Sequence, residues 1–161
     1  MSFAAYLSVT AERQGQLRGS VTQKGREGKI LVIAMQHEIV APRDPQSGLP
    51  TGKRIHKPLT VTKEIDRASP LLYNVLCTNE NLVEARVELW TWSPTGQEKQ
   101  HYTVRLTNAN IAGITFKVPN IKNPKLARLA GYEEIAFTYQ KIEWIWTEGG
   151  ITATDDWETP R

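Results

Sequence analysis

Three histidines, one cysteine and a pair of adjacent aspartates are the residues of this chain best suited to acid–base, nucleophilic or metal chemistry. His37, His56 and His101 stand singly, without the His-x-x-x-His or His-Glu-x-x-His spacing that gathers two imidazoles around a zinc ion. His37 and Glu38 are successive residues of a strand-like run, so their side chains leave on opposite faces. Each histidine therefore reads as a structural or surface residue. Cys77 lies mid-helix with no histidine nearby, whereas an activated thiolate wants a helix N-terminus or adjacent positive charge. It reads as a small core residue, and one cysteine builds neither a disulfide framework nor a cysteine zinc site. Asp155-Asp156 could hold a cation weakly but reads as a solvated tail. No nucleophile elbow, Walker loop or dinucleotide fingerprint occurs, and Gly48-Leu49-Pro50-Thr51-Gly52 lacks the phosphate cradle those motifs provide. The residues predict no enzyme: no catalytic group, no metal and no cofactor.

Binding surfaces are the remaining source of function. Trp90 and Trp92 share one strand face, the one that carries Glu84, Arg86 and Glu88, and Trp144 and Trp146 share another. Their cover is expected to be the helix or tail of the same chain, or else a neighbouring subunit, since aromatics concentrate at interface hot spots. A base-stacking platform is disfavoured because Glu84, Glu88, Glu143 and Glu148 would repel phosphate. The net charge of +3 is too small to argue for nucleic acid. It is unevenly spread: residues 1–67 carry +5, residues 68–131 carry +3 and residues 132–161 carry −5. Such segregation suits either head-to-tail association of copies or neutralisation between neighbours within one fold.

Period-two alternation dominates the elements that must position these residues. Strands are predicted over 3–10, 29–40, 59–65, 82–93, 100–106, 111–118 and 134–147. The run 29–40 begins apolar on both faces, with Leu31, Ile33, Met35 and Ile39 opposite Ile30, Val32 and Ala34, so cover is expected on both sides. In 82–93 the odd positions Val83, Ala85, Val87 and Leu89 are the expected core face. Ser93-Pro94-Thr95-Gly96 reads as a hairpin turn. Ser69 as N-cap and Pro70 at the first helical position start a short helix over 70–79, with Leu71, Leu72, Val75 and Leu76 on one face. Residues 120–130 form a basic connector with room for one helical turn, and 151–161 a tail. The fold class is mainly β, a barrel or sandwich with one short flanking helix, in a single domain spanning 1–161. No run is apolar enough for a membrane span and the N-terminus does not resemble a signal peptide, so synthesis in the cytoplasm is expected.

One segment does not fit a compact sheet. Residues 41–57 separate two strand-like runs by seventeen residues, far beyond the roughly 2–5 of an ordinary hairpin connection. Three prolines restrict it, which predicts a held, extended arm that binds something, the alternative being a tolerated insertion.

The residues of this arm also carry a resemblance. The run 44–58 (D-P-Q-S-G-L-P-T-G-K-R-I-H-K-P), with T-K-E-I-D at 62–66, S-P-L-L-Y at 69–73, K-I-E-W at 141–144 and D-D-W at 155–157, resembles the haemolysin-coregulated (Hcp) family of bacterial type VI secretion systems. The resemblance implies a barrel like that of phage tail-tube subunits, without catalytic residues, that forms homohexameric rings. Stacked rings would form the inner tube, which a contractile sheath on a baseplate expels with a spike protein at its tip and small effectors in its lumen. It implies a subunit that is cytoplasmic before firing and then secreted without a cleaved signal, with no nucleic-acid partner and no membrane insertion. The family's extended loop falls on 43–56, implying contacts with a neighbouring subunit or ring through Arg43, Asp44, Gln46, Ser47, Leu49, Thr51, Lys53, Arg54 and His56. The function class left open is a secreted effector or small-molecule-processing enzyme on the same scaffold.

Overall fold

A computed structural model describes residues 3–128 and 130–157; Met1, Ser2, Leu129 and the tail residues 158–161 lie outside the described residues. In chain order the elements are β1 (Phe3–Ala11), β2 (Gly15–Leu17), β3 (Ile30–Val32), β4 (Ala34–Gln36), β5 (Ile39–Val40), β6 (Ile55–His56) and β7 (Leu59–Glu64). They continue with α1 (Ser69–Thr78), β8 (Leu82–Trp92), β9 (Glu98–Lys117), β10 (Tyr132–Trp146) and β11 (Ile151–Asp156). Antiparallel pairing runs β2-β1-β8-β9-β10-β7-β4, with β11 on β10 and β3 on β1. The mainly β architecture with one flanking helix is thus observed, but among the described residues no continuous ladder closes the sheet. The split run β3–β4 lies across the opening instead: β3 pairs with β1, β4 with β7, and the Ile33 N–H between them donates to the Thr62 carbonyl at 2.8 Å.

Several predicted elements change for physical reasons. The run 29–40 is three short strands, because its first part pairs with one edge of the opening and its second with the other. Ile30 and Val32 are buried, but Leu31 and Ile33 are 46% and 51% exposed, so this chain does not cover both faces. The predicted strands 100–106 and 111–118 are one strand, β9, whose alternation changes phase at Asn108 (φ 50°). Core residues Leu82, Ala109 and Tyr139 form one row across β8, β9 and β10, and Ala85, Leu106 and Ile142 the next inward row. All three strands therefore turn over at the level of Val83, Asn108 and Gln140, which throws Val83 outward instead of into the expected core face. The predicted tail forms β11, and the connector between β9 and β10 is a series of turns.

The helix begins one residue early, with Ala68 at the cap position and no side-chain cap. Ser69 is diverted: its hydroxyl bonds to the buried Glu133 and receives Lys63. Leu72 and Val75 pack into the core, while Cys77 is exposed on the outer side, not a core residue. Asn79 closes the helix in the left-handed region that its short amide side chain tolerates. The cover seen over Trp90 comes from the loop between β2 and β3. The loop 18–29 folds back so that the Arg26 guanidinium lies 4.6 Å from the Trp90 ring centre and 5.3 Å from that of Tyr6, and pairs with Glu98.

Candidate functional site: the arm and its anchorage

Residues 41–57 form an irregular two-stranded ribbon and not an open loop. At its base Ile39 pairs with His56 and Val40 with Ile55; further out the Thr51 N–H donates to the Pro42 carbonyl (3.0 Å) and Arg43 bridges to Pro50. The tip is a tight reversal in which Asp44 N–H donates to the Leu49 carbonyl and Gly48 N–H to the Asp44 carbonyl, both at 2.8 Å. Gly48 sits at φ 73°, a conformation side chains disfavour. The Asp44 carboxylate accepts from the Gln46 N–H (3.0 Å) and the Ser47 hydroxyl (2.9 Å), and these donors hold its pKa below the usual carboxylate range. Prolines and internal hydrogen bonds together hold the arm out from the body. Leu49 at the tip is 64% exposed, and Arg43, Gln46, Ser47, Thr51 and Lys53 are exposed as well.

The arm's base is fixed to the body through a buried cluster that brings two of the scattered histidines together. The Tyr139 hydroxyl, on β10, meets His37 Nε2 at 2.8 Å and His56 Nδ1 at 2.7 Å. His56 Nε2 lies 2.8 Å from Asp155 Oδ2 on β11, and Arg54 donates to the same carboxylate through Nε (2.5 Å) and Nη2 (3.0 Å). Arg54 Nη2 also donates to the Asp156 carbonyl, and Trp157 Nε1 to the Tyr139 carbonyl. The Arg54 guanidinium, with His56 second, holds the Asp155 carboxyl below its ordinary value. Burial, then Asp155, pushes the Tyr139 phenol up. Burial, then His56, pushes His37 down from 6.5. Asp155 is therefore no solvated tail: it ties the last strand to the arm.

Asp155→Ala is expected to cost about 1.5–3 kcal/mol, the range of hydrogen bonds to charged groups. Adding Arg54→Ala to it should cost less than Arg54→Ala costs alone, since the ion pair is already lost and the Arg54 bond to the Asp156 carbonyl is among what remains to be removed. Denaturant melts of the four proteins in this cycle measure it. Because folding depresses the Asp155 pKa, its contribution is present above about 3.8 and is lost as pH falls through the lower folded value.

A family model described as type VI secretion system effector, Hcp, matches residues 6–146. The chain belongs to the Hcp family. The major exported protein of Pseudomonas aeruginosa is 37% identical in an alignment covering 99% of this chain and 98% of that protein. A crystal structure of an Hcp protein superposes with a TM-score of 0.90 at 26% identity, covering 99% of this chain and all of that one. Hcp1 of E. coli EAEC 042 gives 0.85 at 31% identity, with 97% and 99% covered.

In this Hcp chain the arm residues singled out from the sequence divide into two sets. The outer seven, Arg43 to Lys53, lie along the ribbon and its tip. Arg54 and His56 turn inward, and the His56 side chain is only 2% exposed. Sequence reasoning missed the rest of their cluster, His37, Tyr139 and Asp155, which lies up to 101 residues away along the chain; the one available signal was the D-D-W run.

Two other features bear on binding. Ala4, Tyr6, Leu31, Ile33 and Ile65 line an open groove of about 530 Å³ beside the split strand. Five of the C-terminal carboxylates are engaged within the chain: Glu133 by Lys63, Glu134 by Lys117, Glu143 by Arg105, Glu148 by Lys99 and Asp155 by Arg54. At these sites the charge segregation is resolved by neutralisation inside the fold.

Proposed function

We propose that this chain is the structural subunit of the type VI inner tube. Six copies close a ring, rings stack, and the arm bridges neighbouring copies. The sheath expels the tube from the baseplate with the spike protein at its tip, carrying small effectors in the lumen. The single observation that carries this reading is the arm itself: internally rigid, pinned at its base, and presenting Leu49 and Ile55 to solvent. Apolar side chains held out on a rigid ribbon suit a second surface, and the apolar groove of Leu31, Ile33 and Ile65 offers one on another copy. Among the described residues β2 and β11 each pair on one side only, which supports the same reading, because unpaired strand edges are an aggregation hazard unless neighbours cover them. Family membership and the exported relative support a secreted, non-enzymatic role.

Native mass spectrometry of the purified protein tests the ring. A dominant species of six chain masses is the expected result, and a monomer at all accessible concentrations would overturn it.

A further inference from the structure

With Asp155 ionised and His56 neutral, the contacts at the arm's base admit a directed hydrogen-bond order. Asp155 is ionised and can only accept, so His56 Nε2 must carry a proton toward it. A neutral His56 then has a bare Nδ1, which obliges the Tyr139 hydroxyl to donate to it, leaving the phenol oxygen to accept from His37 Nε2–H. Every polar atom named in this chain of contacts is satisfied in one direction only. One added proton can be accommodated: a cationic His56 donates to the phenol from Nδ1, and the phenol turns its own proton to His37, which must then bear its hydrogen on Nδ1. A second proton cannot. With both imidazoles cationic, two N–H groups point at one phenol oxygen, its own hydrogen loses both acceptors, and two positive rings face one another across it.

From this geometry we infer that His37, Tyr139, His56 and Asp155 form a proton-sensitive latch, which holds the arm against the body at neutral pH and releases its base on acidification. On the arm, Arg54 is neutralised by Asp155, and Lys57 pairs with Glu38 at 3.3 Å. On β10, Lys141 is engaged with Glu143 at 3.7 Å. On β11, Asp155 is shared by Arg54 and His56, and Asp156 accepts from Gln140 Nε2. The Lys57 backbone bonds to His37 and favours its charged form, a smaller effect than burial and His56, and among the described residues no carboxylate forms an ion pair with His37.

The direction follows from linkage. Burial and His56 make His37 harder to protonate when latched than when free, so a detached arm takes up the proton first as pH falls below 6.5. The latch is at full strength above that value and weakens as pH falls through the lower latched one. The regulatory meaning rests on the proposal that the arm bridges copies; the latch itself is a contact within one chain.

Hydrogen exchange of the full-length protein at pH 7.5 and 5.0, corrected for intrinsic exchange rates, tests it. In the wild type, protection of the β5–β6 amides and of Lys57 N–H is expected to fall about three- to tenfold at the lower pH, while β9 and β10 keep theirs. His37→Gln supplies a non-titrating N–H donor and should keep the arm protected at both pH values; Tyr139→Phe should leave it weakly protected at both. Wild-type protection that does not change with pH, or an equal loss in His37→Gln, would overturn the latch, and that pair decides even if Tyr139→Phe fails to fold. Ring formation is scored separately by imaging at pH 7.5, so failure of the latch and failure of the tube reading are distinguishable.

Discussion

Replacing Lys63 by methionine is expected to destabilise the protein by about 3–5 kcal/mol, the range found when one partner of a buried ion pair is removed. Lys63 is fully buried, and its ammonium meets Glu133 Oε1 at 2.7 Å, Ser69 Oγ at 2.9 Å, and the Glu64 carbonyl and Asp66 Oδ1 at 3.0 Å. Glu133, from β10, receives the Ser69 hydroxyl at 2.7 Å and also the Tyr73 phenol. One cation between two carboxylates, Glu133 and Asp66, thus fastens β7, β10 and the start of α1 together. Methionine fills comparable volume, so the loss comes from stranding those carboxylates, the more buried Glu133 above all, and not from a cavity. Adding Glu133→Gln, which keeps an acceptor for Ser69 but no charge, should restore all but about 1–2 kcal/mol. Urea melts of the two variants decide: equal instability of single and double variants would mean that the pair's charge is not what matters.

The second large effect concerns assembly and not folding. A variant in which residues 44–52 become a short Gly-Ser turn, with Arg54 and His56 left in place, should fold with a melting temperature close to that of the wild type and yet fail to stack rings. The reasoning is local: those residues make their hydrogen bonds among themselves and with Pro42, whereas the anchorage to β10 and β11 begins at Arg54. Tubes of normal length from that variant, seen by electron microscopy, would remove the arm from the assembly mechanism.

The contrast between these two sites shows which information a linear pattern carries. Alternation located nearly every long strand because a half-buried sheet imposes period two on its own sequence. It split β9 in two because the alternation really does change phase at Asn108, and only the neighbouring strands reveal that Val83 and Gln140 turn over at the same level. The arm was visible as an anomaly of length and proline content. Its anchor was not, because His37, His56, Tyr139 and Asp155 acquire their roles only when β10 and β11 are brought beside the ribbon. Ser69 was read as a helix cap from a sound local rule, and a buried lysine and glutamate drew its hydroxyl elsewhere.

The most direct test of the tube assignment is negative-stain electron microscopy of the purified wild-type protein at high concentration and neutral pH. Rings of six subunits around an open centre, some stacked end to end, are the expected result. A field of featureless monomers would contradict it.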